Sequence, residues 1–201
     1  MKHIYKQGQP NQPTFVLLHG TGGDETDLLP LAEVLDGTYN VLSIKGEISE
    51  NGMARYFKRH GEGQYDVEDL QLQGQKIASF IQASATTYGF DINNVIFVGF
   101  SNGANMAIHL MLRDDTPFIN GLLFAPLYPI PVESHKDFSE GFVFLSMGKR
   151  DPIVPLAQSE RVHRLFEAQH AQPAIHWVES HQITEQAVEA ARTHLATYKM
   201  K

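Results

Sequence analysis

Gly99-Phe100-Ser101-Asn102-Gly103 sets a serine between two residues without side chains. The apolar run Val95 to Val98 precedes it and Ala104 to Leu112 follow, so the stretch reads as buried strand, sharp turn, buried helix. At such a turn the serine backbone is strained, and a Cβ at either flanking glycine would collide with the adjoining strand or helix. The turn holds the hydroxyl out from the sheet at a helix N-terminus, where free N–H groups favour developing negative charge. The five-residue pattern alone is weak evidence. With a strand before it and a helix after it, an ordinary Ser-Asn-Gly turn becomes the poorer reading.

A serine hydroxyl is a poor nucleophile until a base takes its proton, and an imidazole does so near neutral pH when a carboxylate fixes its tautomer. Two further strand ends supply both groups. Phe142 to Met147 runs through Gly148-Lys149-Arg150 to Asp151, and Ile175 to Val178 runs through Glu179-Ser180 to His181. Ends of parallel strands share one edge, so Ser101, Asp151 and His181 are expected to meet as nucleophile, orienting acid and base. Serine, aspartate, histidine is also the chain order of α/β-hydrolases. The other candidates are placed less well. His109 lies in the helix after the turn, His163, His170 and His194 fall on helix faces, and His176 lies inside a strand. Of the loop histidines His19, His60, His135 and His181, the last alone has both a strand end and the chain order behind it. Glu133 and Asp137 belong to the preceding loop, and Asp114-Asp115 read as a solvated helix end.

A tetrahedral oxyanion also needs donors. One is expected from the Asn102 N–H, directly after the serine, and the other from the glycine-rich loop Gly20-Thr21-Gly22-Gly23, where Thr21 N–H is the choice. Gly20 and Gly22 flank that donor, and Ile153 follows the acid, so all three are candidate substrate contacts. Read instead as a phosphate cradle, the loop lacks both the Gly-Lys-Ser/Thr ending of a P-loop and the spacing of a dinucleotide fingerprint. Neither an H-E-x-x-H motif nor clustered carboxylates are present, so no metal is expected.

The elements needed to position these residues are legible. Strand patterns at His3 to Lys6, Thr14 to Leu18, Tyr39 to Ile44, Val95 to Val98, Gly121 to Phe124, Phe142 to Met147 and Ile175 to Val178 alternate with helical patterns. That alternation predicts an α/β fold: a doubly wound, mostly parallel sheet of about six strands with helices on both faces. Asp66 is the expected cap of a long helix with Leu70, Ile77, Ile81, Ala85 and Tyr88 on its apolar face, ended by Gly89. Leu156, Val162, Leu165 and Phe166 mark another helix, and Ile183, Ala187, Val188, Ala191 and Leu195 the last. Lys45 to Tyr65 is expected to be the longest irregular region. The Pro-rich segment Pro126 to Gly141 is too short for a cap domain, which predicts an open site on a single domain, 1–201.

Composition excludes several other functions. With 201 residues, 42% hydrophobic and 19% charged, the chain reads as a soluble globular protein. A net charge of −7 argues against a nucleic-acid partner, since Lys58-Arg59 and Lys149-Arg150 are pairs rather than patches. No cysteine means no disulfide, zinc-thiolate site or cysteine nucleophile. The first residues carry no signal-peptide core and no stretch approaches the roughly 20 apolar residues of a span, so a cytoplasmic protein without membrane anchor is expected.

Leu17-Leu18-His19-Gly20-Thr21-Gly22-Gly23-Asp24-Glu25-Thr26-Asp27-Leu28, with the Ser101 turn, Asp151-Pro152 and Ser180-His181-Gln182, resembles the phospholipase/carboxylesterase family of α/β-hydrolases. The resemblance is strongest to its compact bacterial branch, which includes hydroquinone-associated carboxylesterases related to acyl-protein thioesterases, and it covers nearly the whole chain. It implies hydrolysis of carboxylic or thio esters without a cofactor. Asn51 to Arg59 also resembles that branch, implying Met53 and Phe57 as pocket residues. Ser180 stands where the family usually has glycine, and a Ser-Asn turn replaces the Ser-Gln of many thioesterases. The absence of a long apolar insertion favours small soluble short-acyl esters. The alternatives are a thioesterase or lysophospholipase acting on acylated proteins or lipids, and a non-catalytic hydrolase-fold ligand-binding protein. A homodimer is a family-level expectation.

Overall fold

Alternate residues of the central strands feed two separate cores, and this fixes the layering. In chain order the elements of the computed structural model are β1 (His3–Lys6), β2 (Thr14–Leu18), α1 (Leu29–Asp36) and β3 (Asn40–Ile44), then the short strands β4 (Ile48–Glu50), β5 (Met53–Arg55), β6 (Arg59–Gly61) and β7 (Gln64–Tyr65). They continue as α2 (Val67–Tyr88), β8 (Val95–Phe100), α3 (Asn102–Leu112), β9 (Gly121–Phe124), β10 (Val143–Gly148), α4 (Leu156–Ala168), β11 (Ala174–Val178) and α5 (Glu185–Leu195). The structure describes residues 1–133 and 135–198; the remaining four, included in the expected domain, lie outside the described residues.

Seven strands form the main sheet in the order β1-β3-β2-β8-β9-β10-β11, one more than the approximate count from sequence. All its pairs are parallel except β1 with β3. Phe15 and Leu17 of β2 pack with Leu35, Ala187 and Ala191 of α1 and α5, while Val16 and Leu18 pack with Ile77 and Met106 of α2 and α3. Strand β8 repeats the division, with Ile96 and Val98 on one side and Val95 and Phe97 on the other. Full burial of each such aliphatic or aromatic side chain stabilises by roughly 1.5–3 kcal/mol. From β2 the order steps outward to β3 on one side and to β8 on the other, so the crevice at their carboxyl ends is the switch point of the sheet.

The Asp66 side chain accepts from Asp69 N–H at 3.0 Å at the start of α2, and Gly89 ends that helix at φ 75°. Every residue of α3 but His109 is buried, because the helix lies between the sheet and α2. Two expectations are corrected here. Residues 45–65 are not irregular: they form two antiparallel hairpins, β4-β5 and β6-β7, whose strands of two or three residues are too short for period-2 patterning to register. Leu156, at the first position of α4, is 45% exposed and contributes little to the core. No helix among the described residues is long and apolar enough to cross a membrane.

Three histidines are held neutral. His19 donates from Nδ1 to the Gly20 carbonyl at 2.6 Å and accepts at Nε2 from Gly46 N–H at 3.0 Å, and burial lowers its pKa. Burial pulls His109 down to about 4 and also lowers His194, which stacks on Phe142. All three bind protons less readily folded than unfolded. As pH falls below the ordinary histidine value of about 6.5 the unfolded chain is protonated first, so stability declines toward the folded pKa values. The melting temperature is expected to fall between pH 7 and pH ~5, above most carboxylate titration. In His109→Leu the fall should be smaller; an undiminished fall would remove His109 from the account.

Candidate active site

Ser101 stands at φ 51° and ψ −118°, directly after β8 and before α3. For a residue with a Cβ this backbone costs about 1–3 kcal/mol, and its surroundings hold it there. Ser101 N–H donates to the Phe124 carbonyl at 2.9 Å, and its own carbonyl accepts from Asn105 N–H at 3.0 Å. Each flanking glycine answers a different neighbour. A Cβ on Gly99 would lie 2.7 Å from Ala104 Cα in the helix, while one on Gly103 would run into the Leu18 carbonyl at the end of β2. Ala125, just beyond β9, is also strained at φ 49° and lines the same cleft.

Three strand ends bring the reactive groups together. His181 Nε2 lies 2.8 Å from Ser101 Oγ, and His181 Nδ1 lies 2.7 Å from Asp151 Oδ2. A carboxylate can only accept, so Nδ1 carries the proton and the Nε2 lone pair faces the serine hydroxyl. The Asp151 side chain is fully buried, and its Oδ1 accepts from Ile153 N–H at 2.7 Å and Val154 N–H at 2.9 Å. It cannot turn without breaking those bonds. Lys149 N–H and Arg150 N–H donate to the Val178 and Glu179 carbonyls, both at 2.9 Å, tying the acid's loop to the histidine's. A Cβ on Gly148 would sit 2.7 Å from the Ser180 carbonyl and 2.8 Å from Asp151 Cβ, so this glycine allows the two loops their approach.

The candidate oxyanion donors lie on the other side of Ser101. Asn102 is the first residue of α3, and Thr21 lines the cleft from the loop after β2. Neither backbone N–H has a partner among the described residues. The hairpin β4-β5 fixes that loop from outside. Gly22 N–H donates to the Ala54 carbonyl at 2.9 Å, Arg55 Nη1 donates to Thr21 Oγ1 at 2.8 Å, and Tyr56 N–H donates to Asn102 Oδ1 at 2.8 Å. Tyr56 OH donates to the Ile44 carbonyl at 2.6 Å and accepts from His19 N–H at 2.9 Å.

The cleft over Ser101 has a volume of about 300 Å³. Met53 and Ile153 line it and are each over two-fifths exposed, forming an apolar rim. Phe57 is not a wall of this cleft, contrary to expectation: it is fully buried, with its ring 4.6 Å from that of Tyr65, because it follows the hairpin into the core. Gly20 and Gly22 are not walls either. A Cβ on Gly20 would press on the Phe100 ring at 2.8 Å, and Gly22, at φ 84°, turns the loop while its N–H is bound to Ala54. Asn105, Tyr65 and Arg55 line the cleft without having been singled out from sequence. The Asn51-Gly52 pair was the available signal for the hairpin carrying Arg55, since φ 52° and 81° there are the positive values of a type I′ turn. Among the described residues no group of three His, Cys, Asp or Glu is placed to hold a metal.

A strained serine on a strand-to-helix turn, at the switch point of a mostly parallel sheet with no inserted cap among the described residues, places this fold among the α/β-hydrolases. The match of the phospholipase/carboxylesterase family model to residues 1–199 narrows the class, and the chain belongs to that family. It is 37% identical over 193 residues, 96% of each chain, to MhqD of Bacillus subtilis (strain 168), a candidate hydrolase by its name. The Bacillus cereus carboxylesterase superposes with a TM-score of 0.93 at 37% identity, covering 98% of this chain and 95% of the other. YahD, in a structure with malic acid, superposes at 0.94 with 31% identity, covering 98% and 99%. Together these make the protein an esterase-type hydrolase.

Proposed function

We propose that this protein is a serine carboxylesterase that hydrolyses small, short-acyl esters through an acyl-enzyme. The observation that carries the reading is the continuous chain from Ser101 Oγ through both nitrogens of His181 to a buried, three-fold bonded Asp151. Ser101 Oγ attacks the acyl carbon as its proton passes to His181 Nε2, and Thr21 and Asn102 N–H groups receive the oxyanion. Collapse expels the alcohol, which takes the proton from Nε2. Water then repeats the cycle: its proton goes to Nε2, its oxygen attacks the acyl carbon, and as the acid leaves, Ser101 Oγ takes the proton back from Nε2. A cleft of about 300 Å³ supports small substrates, since drug-sized ligands occupy pockets at or above that size.

Two measurements test this. A fluorophosphonate should label the protein covalently at Ser101, which a ligand-binding protein with an idle site would not require. Across acetyl, butyryl and octanoyl esters of one alcohol, kcat/KM should peak at acetyl or butyryl. A steep rise toward octanoyl would favour a thioesterase or lysophospholipase, with Met53 and Ile153 as the seat of the longer chain.

A further inference from the structure

Arg55 lines the same cleft as Ser101 yet is only 4% exposed. Its donors are unequally used. Nη1 donates to Thr21 Oγ1 at 2.8 Å and lies 3.4 Å from Glu50 Oε2, and Nε donates to the Phe57 carbonyl at 3.4 Å. Nη2 has no partner among the described residues, and it is not sealed off as a buried orphan atom would be. Because Arg55 is among the residues that line the cleft, Nη2 is the donor it has left for a ligand there.

The neighbouring Arg59 is different. Its Nε donates to both Glu50 oxygens at 3.0 and 3.1 Å, Nη2 lies 3.0 Å from the same carboxylate, and Nη1 lies 2.6 Å from Glu62. All three nitrogens are engaged, and Glu50 is held chiefly by Arg59. Burial lowers the Arg55 pKa, Arg59 lowers it further, and Glu50 and Glu62 offset only part of this. Arg55 and Arg59 together balance Glu50 and Glu62, which also line or border the cleft, so what distinguishes Arg55 is a desolvated guanidinium with one unpartnered nitrogen, Nη2.

We propose that Arg55 makes this cleft selective for small esters that carry a carboxylate on a short spacer, which its Nη2 edge binds beside the scissile bond. The inference rests on the hydrolase reading above and names its substrate class. A neutral ester would leave Nη2 facing trapped water, whereas a carboxylate gives it a charge-assisted partner. The bond from Nη1 to Thr21 places that partner next to the loop carrying a candidate oxyanion donor.

The test compares matched pairs by acid release: monomethyl succinate with methyl levulinate, where the acyl side differs, and 4-acetoxybenzoate with 4-acetoxybenzamide, where the alcohol side differs. In the wild type, kcat/KM should favour the charged member of at least one pair by about tenfold or more. Arg55→Gln should bring that ratio to within about twofold of unity, and Arg55→Lys, which keeps the charge but loses the fork, should fall between. Loss of the Thr21 bond lowers both members of a pair alike, so the ratio isolates recognition. Equal loss on both, or no preference in the wild type, overturns the proposal. Should Arg55→Gln not fold, the Arg55→Lys ratio decides, and a ratio equal to wild type overturns it. Calorimetry of Ser101→Ala protein with monomethyl succinate and methyl levulinate is independent of turnover, and the former should bind more tightly. If no ester is cleaved, the hydrolase reading fails by itself and this binding difference still decides the role of Arg55.

Discussion

Ser101→Ala is expected to lower kcat on short-chain p-nitrophenyl esters by about 10⁴-fold or more, and to abolish fluorophosphonate labelling, while the protein stays folded. Among the described residues the hydroxyl makes one side-chain hydrogen bond, with His181, and it faces the cleft, so removing it opens no core cavity. Alanine meets the same backbone strain as serine at φ 51°, so the turn is no harder to hold. The substitution therefore separates chemistry from folding. What remains should be catalysis by the oxyanion donors and binding alone, with a melting temperature close to wild type. A folded Ser101→Ala protein that keeps its turnover would eliminate the serine mechanism.

The second large effect is expected from Asp151→Asn, at about 10³- to 10⁴-fold in kcat. Here the shape survives and the proton pattern does not. An asparagine can keep its oxygen on Ile153 and Val154 N–H, which places its NH₂ against His181 Nδ1. Two donors cannot face each other, so the imidazole moves its proton to Nε2, and that nitrogen can no longer accept from Ser101 Oγ. KM should change little. A kcat within about threefold of wild type would mean that Asp151 does not orient the base.

The parts of the site that lay open to reading from sequence share one property: each is placed by local pattern. Val95 to Val98 has to be a buried strand, Gly99 and Gly103 have to lack side chains around Ser101, and Asp151 and His181 follow strands whose direction is set by the alternation of elements. Where the pattern was too short the reading was poorer. Asn51-Gly52 has the residue types of a hairpin turn, but its strands span only three residues each, too few for their patterning to mark the segment as regular. Phe57 was assigned to the pocket by resemblance, because nothing local distinguishes an aromatic that lines a cleft from one that fills the core beneath it.

The sequence by itself determined the sheet, its strand direction and therefore the edge on which a hydroxyl, a carboxylate and an imidazole gather, because hydrophobic period and chain order are local and additive. Only the tertiary structure decided what surrounds them. The Arg55 clamp on Thr21, the room that Gly148 leaves between two loops and the strain at Ala125 all come from segments distant in sequence meeting at fixed distances. Such meetings depend on packing between elements, which no single stretch of sequence specifies.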